Sequence, residues 1–196
     1  MNEQPEIIII GNGPINTELA ELIDCCPRVV RFNRCAAMPT HLGRRCTDLW
    51  LLGRGRQAQS LLTDPLVMPL EGISKVVVTD PAPNLLMQHI FKLIRRQSRL
   101  DHGDALFNKY GKGSQQERLT QQFRQSVLEY LLTLGPTIHK PYCPSSGTLA
   151  IVHYLKLFSK VHIAGFGFQG WKRHPWHLEK RYVSELIHEN KVIMLD

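Results

Sequence analysis

The sequence predicts an α/β protein: one domain over residues 1–196, with a largely parallel, twisted sheet flanked by helices. Three observations carry this expectation. Ile7–Ile10 and Lys75–Asp80 contain continuous β-branched runs, the pattern of strands covered on both faces. Such runs alternate along the chain with amphipathic helical spacings. The runs also end in glycine, asparagine or proline, the residues at which a chain leaves a sheet.

Taken in order, Glu6–Ile10 is a buried strand closed by Gly11-Asn12-Gly13-Pro14. Gly11 and Gly13 would let backbone approach a ligand at the strand's carboxyl end, where open α/β sheets bind ligands. Asn16 stands where a dinucleotide fingerprint needs its third glycine, which disfavours a plain NAD site. Asn12 suits either a tight turn or an amide offered to a ligand. Ile15–Cys25 is a short helix, and Arg28–Phe32 a second strand ending at Asn33. Asn33 can read a base or ribose edge, or simply turn the chain. Asp48–Leu52 is a third apolar stretch, and Lys75–Asp80 a strand closed by Pro81 and Pro83. Asn84–Arg96 follows as a helix with Leu85, Leu86, His89, Ile90, Leu93 and Ile94 largely on one face. Residues 101–114, with their glycines, read as a loop, and Gln115–Leu134 as a long amphipathic helix ended by Gly135-Pro136.

The turn Pro144–Thr148 opens a helix running to Phe158, then Val161–Ile163 forms a strand ending in Gly165-Phe166-Gly167. Ser145, Ser146, Gly147 and Thr148 thus sit where a helix presents unpaired N–H groups, either as a structural cap or as an anion site. The loop Gln169–Glu179 gathers Trp171, Lys172, Arg173, His174, Trp176 and His177 just past a strand end. A helix to about Glu189 and the strand Val192–Leu195 complete the chain.

The net charge of +7 favours an anionic partner, whether nucleic acid, anionic lipid or a phosphorylated small molecule. No aromatic-studded basic motif accompanies the arginines, so no nucleic-acid partner is expected. No signal-type amino terminus is visible, and no apolar run approaches the roughly 20 residues that span a bilayer. A cytoplasmic protein is expected, able to work near a membrane surface. Cys25, Cys26, Cys35, Cys46 and Cys143 lack CxxC spacing and are expected as free thiols. His174 and His177 are not the i, i+4 pair of a zinc helix, so no metal site is expected.

Together these pieces resemble the sialyltransferases, in particular the bacterial CMP-sialic-acid-dependent family and, more distantly, the animal Golgi enzymes. Ile7–Pro14 with Arg31-Phe32-Asn33 and Leu42–Cys46 looks like the long sialyl motif that binds CMP. Ser145-Ser146-Gly147 through Phe166 is similar to the short sialyl motif. His174 and Glu179 resemble the HxxxxE element that carries the catalytic base. The resemblance implies a Rossmann-like domain of the GT-A-variant type, and inverting transfer of a CMP-activated 2-keto sugar acid to a glycan hydroxyl. It makes His174 the general base. Gly11, Asn12, Gly13 and Asn33 would lie against the nucleotide. Ser145, Ser146, Gly147 and Thr148 would hold the donor's anionic groups, and Lys172 and Arg173 the departing phosphate. It implies no cofactor beyond the CMP-sugar, and no metal, since no DxD pair is present. The family's two phosphate-binding tyrosines are missing before His174, and residues 101–114 are left to serve as the lid. CMP-Kdo as donor, and a nucleotide-binding protein without turnover, are the alternatives. Acceptor, linkage and oligomeric state are left open.

Overall fold

The sheet is built from β1 (Ile7–Ile10), β2 (Arg28–Phe32), β3 (Asp48–Leu51), β4 (Lys75–Val78), β5 (Gln115–Arg118), β6 (Val161–Ala164) and β7 (Val192–Met194). The computed structural model describes residues 4–34, 40–64, 72–137, 139–141 and 143–195; Cys35 lies outside them. The strands form one seven-stranded sheet in the order β5-β4-β3-β2-β1-β6-β7, and every pairing is parallel. All carboxyl ends therefore share one rim. From β1 to β5 the chain walks outward, then returns to place β6 on the other side of β1. The β1/β6 junction is thus the topological switch point.

The period-two alternation of a strand explains why β1 needs four isoleucines. Ile7 and Ile9 face one core with Val30, Trp50 and Val77, roofed by residues of α5 (Gln121–Thr133), α6 (Ser146–Tyr154) and α7 (Trp176–His188). Ile8 and Ile10 face the other side, against Leu19 and Ile23 at α1 (Ala20–Cys25). Further along that side, Leu49, Leu51 and Val76 pack on α2 (Gly55–Thr63) and α4 (Gly103–Tyr110) through Ala58, Leu61, Leu106 and Tyr110. Trp50 is fully buried and donates its indole N–H to the Tyr154 hydroxyl at 3.2 Å, which satisfies the polar end of each ring. Cys25, Cys26 and Cys143 are free thiols.

Three local expectations change. The first helix is shorter than Ile15–Cys25, beginning only at Ala20. Gln115–Arg118 is a strand instead of the start of a helix: as the sheet's edge it has a neighbour on one side only, so its polar QQER needs no apolar alternation. Thr120 then starts α5 by accepting the Phe123 N–H at 3.1 Å. Finally, residues 101–114 form no lid. Gly103–Tyr110 is α4, with Leu106 buried in the sheet's core.

The helix expected over Asn84–Arg96 is α3 (Leu85–Leu93), capped where Asn84 Oδ1 accepts the Met87 N–H at 3.1 Å. Its apolar face does not enter the core, and none of its residues is buried. Among the described residues no helix is long and apolar enough to cross a membrane.

Candidate functional site

A cleft of about 1190 Å³ opens on the carboxyl rim, above β3 and β4. Its floor is Leu52, Thr79 and Asp80, where those two strands end. Its walls come from α3, from α5 through Arg124, Gln125 and Leu128, and from the start of α6 through Pro144, Ser146 and Leu149. The loop residues Trp171, Arg173 and His174 close it. Four arginines line it (Arg54, Arg99, Arg124 and Arg173) against two carboxylates, Asp80 and Glu129, so the cleft favours an anion.

The base of the cleft is an ion pair set where three elements end. Arg124 donates to Asp80 Oδ1 at 2.7 Å and to the Thr79 carbonyl at 2.8 Å, while Asp80 Oδ2 accepts the Gly53 N–H at 2.9 Å. Arg124 lies in the first turn of α5, where the helix dipole disfavours a cation; Asp80 offsets that cost. Burial alone would lower the Arg124 pKa, but the Asp80 carboxylate outweighs it and the guanidinium is held charged more firmly than usual. Arg124 also hydrogen-bonds the Cys143 side chain, whose thiol is nonetheless pushed up by burial and stays protonated at neutral pH.

His174 is positioned from three sides. Its Nδ1 lies 2.8 Å from the Cys143 carbonyl. A carbonyl only accepts, so Nδ1 carries the proton and Nε2 is the ring's acceptor. The ring stands edge-on between Trp171 and Trp176, with centroids 5.0 and 4.9 Å away. The Trp171 carbonyl accepts both the His174 N–H at 3.1 Å and the Trp176 indole N–H at 3.0 Å, which closes the loop into a rigid turn.

Glu179 is fully buried in the first turn of α7 and reaches the start of α6. It accepts the Ser145 N–H at 2.8 Å, the Ser145 hydroxyl at 2.5 Å and the Thr148 hydroxyl at 2.7 Å. Ser145 Oγ in turn accepts the Thr148 N–H at 3.2 Å. One carboxyl group therefore sits at the positive ends of two helices and accepts three hydrogen bonds. This differs from the expectation that Ser145 and Thr148 hold a ligand's anionic group, because the anion at this helix start is Glu179 itself. Gly147 is likewise taken up by packing: a Cβ there would lie 2.7 Å from the Phe166 ring. Ser146 is the member of the set that lines the cleft.

The first strand's turn is also used internally. The Gly11 N–H donates to the Ala164 carbonyl at 2.8 Å, and the Gly13 N–H to the Gly165 carbonyl at 2.9 Å. A Cβ on Gly11 would stand 2.2 Å from the Gly165 oxygen, and one on Gly13 2.7 Å. These glycines admit a neighbouring strand end, where a ligand was expected. Asn12 is exposed on the rim but does not line the cleft. Asn33 takes a left-handed φ of 53°, and its Oδ1 accepts the Leu52 N–H at 2.9 Å, tying the β2 end to the cleft floor. Lys172 is exposed and outside the cleft. Of the residues expected from the sequence, His174, Ser146 and Arg173 therefore meet in one hollow. Asp80, Arg124 and Cys143 join them without having been singled out as site residues.

His177 acts elsewhere. Its Nε2 donates to the Pro136 carbonyl at 2.8 Å, fastening α7 to the segment after α5. No group of three or more His, Cys, Asp or Glu suited to a metal ion occurs among the described residues.

Comparison with solved structures aligns 97% of this chain with 68% of a mammalian sialyltransferase crystal structure, at a TM-score of 0.59 and 15% sequence identity. The fold is sialyltransferase-like. At that identity the likeness concerns architecture alone. No family model matches the sequence. Among curated proteins, the urease operon 23 kDa accessory protein of Rhizobium meliloti (strain 1021) is 26% identical over 208 residues, covering 95% of this chain and 90% of that protein.

Proposed function

We propose that the protein is an inverting glycosyltransferase that moves a 2-keto sugar acid, sialic acid, from its CMP donor to a glycan hydroxyl. The observation that carries this reading is His174, lining an arginine-rich cleft with Nδ1 anchored on a carbonyl and Nε2 left as acceptor. On this reading Nε2 takes the acceptor's hydroxyl proton while that oxygen bonds to the anomeric carbon. The bond from that carbon to the phosphate oxygen breaks on the opposite face, and CMP departs with the electron pair. An imidazole suits this role because one ring nitrogen can take a proton while the other stays bonded to the carbonyl. Arg173 and the other cleft arginines face the charge that collects on the phosphate. Ser146, at the start of α6, offers its hydroxyl to the donor's carboxylate or phosphate. The nucleotide lies in the cleft above β3 and β4, over Leu52, Thr79 and Asp80. A nucleoside monophosphate leaves with less charge than a diphosphate, so guanidinium groups rather than a metal ion neutralise it. CMP-Kdo shares every one of these groups and is the nearest alternative donor.

The test is release of CMP from CMP-sialic acid and from CMP-Kdo in the presence of glycan acceptors, alongside calorimetry with CMP. Binding and release establish a transferase, and the preferred donor names the sugar. Binding without release under any acceptor leaves a nucleotide-binding protein without turnover. Absence of CMP binding removes the reading altogether.

A second reading follows from the relative named for a urease operon: an accessory part in the making of that enzyme. Co-purification with urease subunits, with no CMP binding, is the outcome that would favour it.

A further inference from the structure

We infer that α3 is a docking helix for an anionic lipid leaflet, and that it sets the cleft mouth against the membrane. The sequence of α3 is as apolar as a core helix, yet Leu85, Leu86 and Leu93 are 75%, 70% and 82% exposed. Ile90 and Ile94 are exposed as well. At about 100° per residue, these side chains cover roughly half the helix circumference. The opposite side is occupied: Met87, Gln88 and Phe91 line the cleft. Gln88 is also bonded to the turn that follows, donating to the Arg99 carbonyl at 3.2 Å and accepting the Asp101 N–H at 2.8 Å. The outward leucines are thus held outward by a helix that is fastened on its inner side.

Charge selects the occupant. Lys92, Arg95 and Arg96 are exposed at the end of the same helix, and no acidic residue lies between Leu85 and Arg99. Arg95 takes a left-handed φ of 52°, and the Arg96 N–H returns to the Phe91 carbonyl at 2.8 Å. This is the helix-ending turn that glycine usually makes; here it keeps a cation beside the leucines. An apolar stripe bordered by cations is the pattern of a helix lying in a lipid headgroup layer. A second copy of this chain would set these cations against their own like charges. Since α3 is also a wall of the cleft, docking would bring lipid-borne groups to its mouth. Resting on the transferase reading, this makes the acceptor class a glycan carried on lipid.

The test is co-sedimentation of the full chain with vesicles of phosphatidylglycerol and phosphatidylcholine, against vesicles of phosphatidylcholine alone. Binding about ten-fold or more tighter to the anionic vesicles, weakening with salt, is expected. The variant L86S/L93S should lose that binding, and R95E/R96E should lose the preference for anionic lipid. Both should melt as the parent does, since the side chains are solvent-exposed. Equal binding to neutral vesicles, no binding, or binding untouched by both variants overturns the proposal. So does a dimer in sedimentation velocity that L86S/L93S dissolves. None of these readouts depends on CMP, so docking and transfer fail separately.

Discussion

Two stretches of one rim behave oppositely. At the β1/β6 junction, where doubly wound sheets usually open, the turns after both strands interlock through backbone hydrogen bonds, and glycines close the gap between them. Above β3 and β4 the strand ends stay bonded to each other, and beyond them lie a buried ion pair and a cleft. Switch-point topology therefore permits a crevice, but local packing decides where along the rim it opens. Here the closed half holds the sheet together, and the open half gathers the ionisable groups.

The largest effect expected is on the open side. His174→Ala should lower CMP release by about 10²–10⁴-fold while CMP still binds, measured by product assay and calorimetry. Unchanged release would remove His174 from the base role. Asp80→Ala leaves the Arg124 guanidinium buried and unpaired, and should cost about 3–5 kcal/mol in urea unfolding. The double variant D80A/R124M should recover part of that loss; failure to do so would show that the pair is not the cause.

On the closed side, Gly11→Ala forces a methyl group onto the Gly165 oxygen and should cost about 1–3 kcal/mol, read as a lowered Tm, with unchanged CMP affinity in the folded protein. Weakened CMP affinity at unchanged Tm would mean instead that this turn faces a ligand. The two serines at the start of α6 sharpen the contrast one residue apart. Ser145→Ala should lose about 1 kcal/mol of stability, as a cap is removed. Ser146→Ala should leave stability alone and weaken CMP binding a few-fold. The smallest effect is a pH dependence at the far end of α6. Burial holds the His153 ring below its usual value of 6.5, outweighing the nearby Glu117 carboxylate. The unfolded chain then takes up the proton first as pH falls, so stability declines on going below about pH 6.5 and is flat with respect to this group above it. His153→Gln should remove that part of the slope in urea midpoints.

The residues show why some of this is legible in the chain. Strands β1 and β4 announce themselves because burial on both faces favours continuous β-branched runs, IIII and VVV. Strand β5 does not, since an edge position lets Gln115–Arg118 stay polar. The glycines flanking α4 disguise a helix whose anchors, Leu106 and Tyr110, are buried. The apolar stripe of α3 is visible, but amphipathicity states only that a face is apolar, not what covers it. His174 and Ser146 stand out because they follow a strand end and open a helix. Asp80, Arg124 and Cys143 do not stand out as a group, because nothing in the chain's local pattern links three residues so far apart.

By itself the sequence determined the α/β alternation, the parallel sheet and the polar turns at strand ends, since these follow from short-range periodicity and burial. Only the tertiary structure decided which turns face solvent and which face each other. Glu179 took the helix start that would otherwise be open to a ligand, and Gly165 filled the space that Gly11 and Gly13 leave open. Such choices depend on contacts between residues distant in the chain, and there close packing, rather than propensity, sets the outcome.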